Sequence, residues 1–254
     1  MTPFRYNFGI YHWRRRFASL AAAVVAIALA TAYKRRTDRL WRRLAATVAS
    51  VWAATYVTRV VTRLLSPPPW AIEREKYDAL AALLPLERAQ RVLDVGCGTG
   101  RSLVGLAPHV PPGREVFGLD VFDDRVILGN GAVLARRNAE RAGLAVTPVA
   151  GDAARLPFAD DSIDVVTASR VLHDLDSTAA DRTLAEMHRV CAPDGSIGVL
   201  ELPLVPEDVS SDPETYWLDR VSTAGFRVDT VERIDRDRSD DPYLVIVGTP
   251  VAES

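Results

Sequence analysis

Nine residues, Val92-Leu93-Asp94-Val95-Gly96-Cys97-Gly98-Thr99-Gly100, constrain the fold of this 254-residue chain more tightly than any other segment. Val92, Leu93 and Val95 show no polar alternation, the pattern of a parallel strand covered on both faces. The turn that follows carries glycine at 96, 98 and 100. Glycine admits positive φ and has no Cβ to hold a ligand off the main chain, so a nucleoside-sized group can lie against it. A glycine-rich turn alone is a weak motif, and its meaning depends on what surrounds it.

Beyond residue 70 the pattern alternates. Helices are expected over 73–84, 100–107, 131–142, 178–190 and 214–224, and strands over 91–95, 115–119, 146–149, 163–168, 196–201, 226–233 and 243–248. Strand–helix alternation predicts an α/β fold with a doubly wound, Rossmann-like parallel sheet. The last two strands are joined only by residues 235–242, too few for a crossover helix, and should form an antiparallel hairpin. Ligands of such sheets bind outside the carboxyl ends of the strands. Those ends are polar here. The second strand ends in Asp120, suited to ribose hydroxyls; the third in Gly151-Asp152-Ala153, suited to an exocyclic amine; the fourth in Ser169-Arg170-Val171-Leu172-His173-Asp174.

The first 70 residues differ in character. They hold 12 Lys/Arg and one acid, Asp38, against 19 Lys/Arg and 32 Asp/Glu in the remainder. A basic arm on an acidic domain suits a membrane surface, and the acidic domain is a poor partner for nucleic acid. Phe17–Tyr33 is free of charge and bracketed by Arg14-Arg15-Arg16 and Lys34-Arg35-Arg36; Leu44–Leu65 is a second apolar run, broken only by Arg59 and Arg63. Small residues at every fourth position (Ala18, Ala22, Ala26, Ala30; Ala46, Ser50, Ala54) suggest two closely packed membrane helices. The six cations in residues 34–43 favour a cytoplasmic loop, which a single span followed by an interfacial helix would satisfy and a two-span hairpin would not. A soluble helical arm and a cleaved signal peptide are the other readings of this segment. Three prolines at 67–69 mark the boundary: residues 1–66 form the anchor, 67–70 a stiff linker and 71–254 the soluble domain. The two cysteines, Cys97 and Cys191, have no paired spacing and no His cluster, so neither a zinc site nor a disulfide is expected.

Taken together, residues 92–100, Phe117–Asp120, Gly151–Phe158 with Asp164-Val165-Val166, and Glu186–Gly195 resemble the successive motifs of the class I S-adenosylmethionine-dependent methyltransferases, in the branch acting on small molecules and lipids. The resemblance spans about residues 75–250, and Asp194 departs from it, standing where the family usually has glycine. Asp120–Asn138 also resembles a subgroup with hydrophobic N-terminal helices. The family implies S-adenosylmethionine as cofactor and a sheet of order 3-2-1-4-5-7-6 with strand 7 antiparallel. It implies that Gly96 and Gly98 face the cofactor's amino-acid part, Asp120 the ribose, and Asp152 with Ala153 the adenine. Asp94 would brace the turn or act on the amino group indirectly. Cys97, Gly100 and Val121 complete the binding set, and Ser169 and Arg170 line the methyl-transfer side.

A phenol or enol acceptor would benefit from a base. His173 is the candidate catalytic residue, with capping or packing as its other role; Asp174 and Glu201 are secondary candidates. A nicotinamide-binding fingerprint is excluded because its third glycine would fall at 101, which is Arg101. The expected function is methyl transfer to a small-molecule or lipid acceptor, quinone-like or isoprenoid, by an enzyme held at the cell membrane with its catalytic domain in the cytoplasm. The competing reading is an inactive membrane-tethered scaffold.

Overall fold

The computed structural model describes residues 5–64, 68–236 and 239–251. Part of the proline-rich boundary, residues 65–67, lies outside the described residues, as does the tip of the terminal hairpin, residues 237–238. The chain divides into two compact units, Met1–Ala71 with Asp123–Asn130, and Ile72–Phe122 with Gly131–Ser254.

In the first unit, β1 (Ile10–Tyr11) leads into α1 (Trp13–Arg36), and a short turn joins it to α2 (Leu40–Leu64). At 1.5 Å per residue each helix is about 36 Å long, and both are long and apolar enough to cross a membrane by length and composition. Their contact is built on small side chains: Ala23, Ala46 and Ala53 are buried. The packed face therefore differs from the expected every-fourth-residue stripe, since Ala18, Ala22, Ala26 and Ala54 are exposed and only Ala46 of that stripe is buried. A 3.6-residue period moves a contact face by i, i+3, i+4 and i+7, and a strict spacing of four drifts off it. Most of the helix surface is apolar and exposed, including Val24, Val25, Leu29, Leu44, Val48 and Trp52.

The second unit begins with α3 (Glu75–Leu83), then β2 (Arg91–Val95), α4 (Arg101–Leu106) and β3 (Glu115–Asp120). A two-residue strand, β4 (Ile127–Leu128), belongs to the first unit and pairs with β1. The fold continues with α5 (Ala132–Ala142), β5 (Thr147–Ala150), β6 (Ile163–Ser169), α6 (Ser177–Val190), β7 (Cys191–Glu201), α7 (Pro213–Thr223), β8 (Phe226–Arg236) and β9 (Ser239–Pro250). The sheet order is β5-β3-β2-β6-β7-β9-β8, all parallel except β9, which runs antiparallel to both neighbours. In domain numbering this is the expected 3-2-1-4-5-7-6 with the seventh strand reversed.

Alternate strand residues feed two cores. Val92, Val165, Leu200 and Val245 face α3, α4 and α5, with Tyr77, Leu80, Leu103 and Ala135. Leu93, Val166, Val199 and Ile246 face α6 and α7, with Leu184, Met187, Trp217 and Val221. Local chemistry starts the helices that close the second core. The Asp176 side chain caps α6 by accepting from Ala179 N–H, and Asp212 caps α7, with Pro213 at its first turn.

Three strands run well past their expected bounds, β7 and the two of the terminal hairpin. β7 starts at Cys191 rather than 196, and the register jumps from Ile163↔Cys191 to Val165↔Ser196, so Pro193-Asp194-Gly195 forms an irregularity inside the strand. The terminal hairpin keeps pairing to Arg236↔Ser239, well into the region expected as a turn, because the ladder satisfies backbone groups that a long loop would leave to water. The pair β1/β4 was not expected, since two-residue strands carry no periodic signal.

Trp217 is fully buried and its indole N–H donates to the Leu204 carbonyl at 2.8 Å, tying the segment after β7 to α7. Trp217→Ala is expected to cost roughly 3–5 kcal/mol of stability, read by chemical denaturation, whereas Trp217→Phe should cost distinctly less because it loses the hydrogen bond but keeps most of the buried area.

Candidate functional site

The turn between β2 and α4 is held from below and from the side. Gly96 N–H and Cys97 N–H both donate to the Leu119 carbonyl of β3, at 2.8 and 3.0 Å. Gly98 N–H donates to Asp120 Oδ2 at 2.8 Å, and Phe122 N–H donates to Asp120 Oδ1 at 2.7 Å. One carboxylate thus fixes the turn and the chain leaving β3, where Phe122 sits at φ 52°. Gly98, at φ 53°, would bring a Cβ near nothing but Asp120 Oδ2 at 3.9 Å, so its outer side is open. A Cβ at Gly100 (φ 80°) would lie 2.8 Å from the Ala135 carbonyl oxygen. The same turn therefore needs glycine for two reasons, packing on α5 at 100 and an open face at 98.

Asp94 lies beneath the turn rather than at its open face. It is 1% exposed; Ser102 Oγ donates to one oxygen, and Thr167 Oγ1 donates to the other at 2.8 Å. Burial pushes its pKa up to about 6 in spite of these two hydroxyl donors, with the Asp120 charge adding to the rise. Cys97 contributes its backbone to the turn while its side chain is buried, and burial raises its thiol pKa further. At the neighbouring strand end, Gly151 N–H donates to the Asp120 carbonyl at 3.1 Å, and the exposed Asp152 caps its own turn by accepting from Ala154 N–H at 2.9 Å. Ala153 is half-buried and Val121 is exposed.

At the end of β6, Ser169 Oγ is buried and has no hydrogen-bond partner among the described residues. Arg170 follows at φ 58°, a sparsely populated conformation for a non-glycine residue, and its N–H donates to the Leu200 carbonyl at 2.6 Å. The backbone then turns over Glu201, the last residue of β7. Val171 N–H and Leu172 N–H donate to Glu201 Oε1 at 3.0 and 2.8 Å, and Leu202 N–H donates to Oε2 at 3.2 Å. His173 Nδ1 lies 2.5 Å from Glu201 Oε2, with Glu201 fully buried and the His173 side chain 9% exposed.

Burial disfavours the imidazolium, but the hydrogen bond and charge of Glu201, aided by Asp174, outweigh it and hold the His173 pKa above its ordinary value. By linkage, the stability this pair gives is fully present below the unfolded histidine pKa near 6.5 and is lost as pH rises through the higher folded value. His173 and Glu201 are thus brought together from 28 residues apart, and Asp174 lies beside them, 3.5 Å from His173 Nε2.

A second buried charge was not legible in the sequence. Lys76, one of only two lysines in the chain, is 2% exposed; its Nζ donates to Glu73 at 2.6 Å and to the Tyr243 hydroxyl at 2.8 Å, and that hydroxyl donates to Glu73 at 3.0 Å. Burial first, then the Arg170 charge, bring its pKa down to about 8. The one available signal was compositional: a lone lysine in an arginine-rich domain.

Residues 92–195 match the family described as a methyltransferase domain. Among curated proteins, the chain is 37% identical over 125 residues to the demethylmenaquinone methyltransferase of Thermus thermophilus, covering 49% of this chain and 53% of that protein. It is 34% identical over 140 residues to the ubiquinone/menaquinone biosynthesis C-methyltransferase UbiE of Cupriavidus metallidurans, covering 55% and 54%. The chain spans about half the length of the curated relatives it matches. Two solved structures share the fold: a SAM-dependent methyltransferase from Aquifex aeolicus (TM-score 0.54, 20% identity, 69% of this chain and 89% of that one), and the Burkholderia thailandensis 1,6-didemethyltoxoflavin-N1-methyltransferase with bound 1,6-didemethyltoxoflavin and S-adenosylhomocysteine (TM-score 0.52, 22% identity, 71% and 80%).

The two glycines give a paired test. Gly98→Ala should cost about 1–2 kcal/mol, the price of a left-handed conformation alone, whereas Gly100→Ala must also displace the α5 backbone and should lower the thermal midpoint further. Equal midpoints for the two variants would contradict this account of the turn.

Proposed function

We propose, from the match of residues 92–195 to the family described as a methyltransferase domain, that this chain is a membrane-anchored enzyme that transfers a methyl group from S-adenosylmethionine to a quinone-like acceptor, with its catalytic domain facing the cytoplasm. The quinone class is supported by the relatives named demethylmenaquinone methyltransferase and UbiE, and anchoring by the exposed apolar surfaces of α1 and α2. The observation that carries the reading is the His173–Glu201 pair at the carboxyl end of the sheet.

The residues fit the cofactor. Gly98 presents an open backbone face, the Asp120 carboxylate stands at the mouth of the turn, and the Ser169 hydroxyl is buried without a partner among the described residues. In this reading Gly96 and Gly98 hold the amino-acid part, Asp120 the ribose hydroxyls, and Asp152 with Ala153 the adenine. Ser169 serves the methyl-transfer side, while Cys97, Gly100 and Val121 contribute backbone. Asp94 acts through the turn it braces. Bound there, the cofactor supplies a methyl group on a positively charged sulfur, an electrophile that needs positioning more than activation.

The chain's own work is then on the acceptor. Glu201 is fixed by three backbone N–H donors and, in this reading, accepts a hydrogen bond from His173 Nδ1–H, the tautomer that leaves the Nε2 lone pair as the base. Removing the hydroxyl proton of a quinol raises electron density at the adjacent ring carbon, the atom that must attack the methyl group. Glu201 then stabilises the imidazolium so formed. Fixed donors and a buried carboxylate make this arrangement organised before substrate arrives.

The full-length chain in phospholipid vesicles, supplied with labelled S-adenosylmethionine and a reduced demethylated naphthoquinone, should transfer label to the quinol ring. His173→Ala should lower kcat by about 10²–10⁴-fold. Glu201→Gln removes the charge that raises the His173 pKa, so the acid limb of the pH–rate profile should move to lower pH while kcat falls. Transfer that is unaffected by His173→Ala would remove the base from the mechanism, and a folded, cofactor-binding chain that methylates nothing would favour the scaffold reading.

A further inference from the structure

The ribbon formed by β1 and β4 joins two segments with different roles in the sequence. β1 stands at the head of the first apolar helix; β4 lies in the insertion that follows Asp120. Ile10 pairs with Leu128 and Tyr11 with Ile127, and His12 N–H extends the ladder to the Val126 carbonyl at 2.7 Å. Beyond the ladder, the Trp13 indole donates to the Asp124 carbonyl at 2.8 Å, and Arg14 reaches Asp124 at 4.0 Å. The segment before the ribbon is packed as well, with Phe8 fully buried, Tyr6 stacked on it at 5.7 Å, and Phe8 N–H donating to the Pro69 carbonyl at 2.7 Å. Residues 123–130 therefore form part of the same compact unit as the apolar helices.

The ribbon has an apolar outer face. Paired residues and i, i+2 neighbours share a face of an antiparallel ribbon, so Ile10, Leu128 and Val126 lie together. Val126 is 49% exposed and Leu128 36%, while Ile127, on the other face, is buried. Tyr11, paired with Ile127 on the other face, is exposed too, as is Phe17 on α1, with Trp13 at the first turn of that helix. The charged groups around it are Arg14, Arg15, Arg16 and Arg125 against Asp123 and Asp124. Arg125 engages Asp123, and Arg14 reaches Asp124, so the cluster stays net positive. An aromatic and arginine collar at the end of an apolar helix, continuous with an exposed patch of Val, Leu and Ile, has the chemistry of the lipid headgroup level, where aromatic side chains concentrate and arginines meet phosphates.

The geometry points to a second membrane contact: the β1/β4 ribbon, through Val126 and Leu128, rests on the same bilayer that holds the helices, so that the insertion following Asp120 reads the lipid surface. The occupant of this face is an anionic bilayer. The inference rests on the anchoring proposed above and goes beyond it, because it assigns lipid contact to residues of the methyltransferase region itself. Only two residues, Val121 and Phe122, lie between Asp120 and Asp123, so at most about 11 Å of chain joins the proposed ribose carboxylate to the ribbon segment.

The test uses the full chain in vesicles of phosphatidylcholine and phosphatidylglycerol. Three variants, each with one added cysteine, carry an environment-sensitive fluorophore: Leu128→Cys on the ribbon, Leu29→Cys in α1, and Asp194→Cys, at an exposed position near the amino end of β7, whereas Asp120 stands at the carboxyl end of β3. The native Cys97 and Cys191 are buried, and burial with nearby carboxylates pushes the Cys191 thiol up to about 12, so they compete poorly for the label. Emission at 128 should rise several-fold on vesicle binding and be quenched by a nitroxide placed at headgroup depth; emission at 29 should be quenched by a deeper nitroxide, and position 194 should respond to neither. If position 29 reports insertion while 128 behaves as 194 does, the ribbon inference is overturned and anchoring stands. If position 29 is silent and the chain fails to float with vesicles, anchoring itself fails and the inference falls with it. As a second measurement, Val126→Asp with Leu128→Asp should lower turnover of a vesicle-embedded quinol several-fold and leave that of a water-soluble short-chain quinol unchanged; equal losses on both would also overturn it.

Discussion

The site depends on one carboxylate. Asp120 accepts the Gly98 N–H from the turn after β2 and the Phe122 N–H from its own strand exit. Both bonds are charge-assisted, each stronger than a neutral pair, and together they set how far the glycine turn stands from the end of the neighbouring strand. The Gly98 backbone and the Asp120 carboxylate are thus held at a fixed separation. A flexible glycine loop would have to be ordered by its ligand at an entropic cost; this one is ordered beforehand. The brace beneath it, in which Asp94 holds Ser102 of α4 and Thr167 of β6, fastens the turn to the helix and strand on either side.

A second buried carboxylate organises the loop after β6 by the same physics. Glu201 closes β7 without solvent contact, where polar oxygens left without partners would be costly. Three backbone N–H groups and His173 compensate it, and because two of those donors belong to Val171 and Leu172, the carboxylate also shapes the loop that carries the histidine. The positive φ of Arg170 is the local cost of that loop. Val171 closes the arrangement, lying where a Cβ at Gly96 would come within 2.4 Å of it, so the glycine turn and the histidine loop are packed against each other.

What the sequence made legible followed from periodicity and strand-end chemistry. Strand-forming residues without polar alternation over 92–95 and 163–168, with Asp94 and Asp164 inside them, located the buried parallel strands, and the missing crossover between the last two located the reversed strand. Asp120 and Ser169 were readable as polar groups at strand ends, where the structure places them, and His173 as a polar group in the loop that follows β6. What stayed hidden is long-range. Nothing near Glu201 in the chain marks it as the partner of a histidine 28 residues earlier, and Ser102 and Thr167 look like ordinary helix and strand residues until they meet on Asp94. Lys76 finds Tyr243 across 167 residues. The β1/β4 ribbon was invisible for another reason: its strands are two residues long, shorter than any period that a pattern can show.

Cofactor binding tests the central claim most directly, because every role assigned to the turn presupposes it. Titration calorimetry of S-adenosylmethionine into the full-length chain, alongside Asp120→Ala, separates the site from nonspecific effects. The account predicts saturable binding at one site per chain, weakened at least about tenfold by the loss of a charge-assisted hydrogen bond to the ribose. No binding to a chain shown to be folded by its cooperative thermal transition, or equal binding by the Asp120→Ala variant, would contradict it.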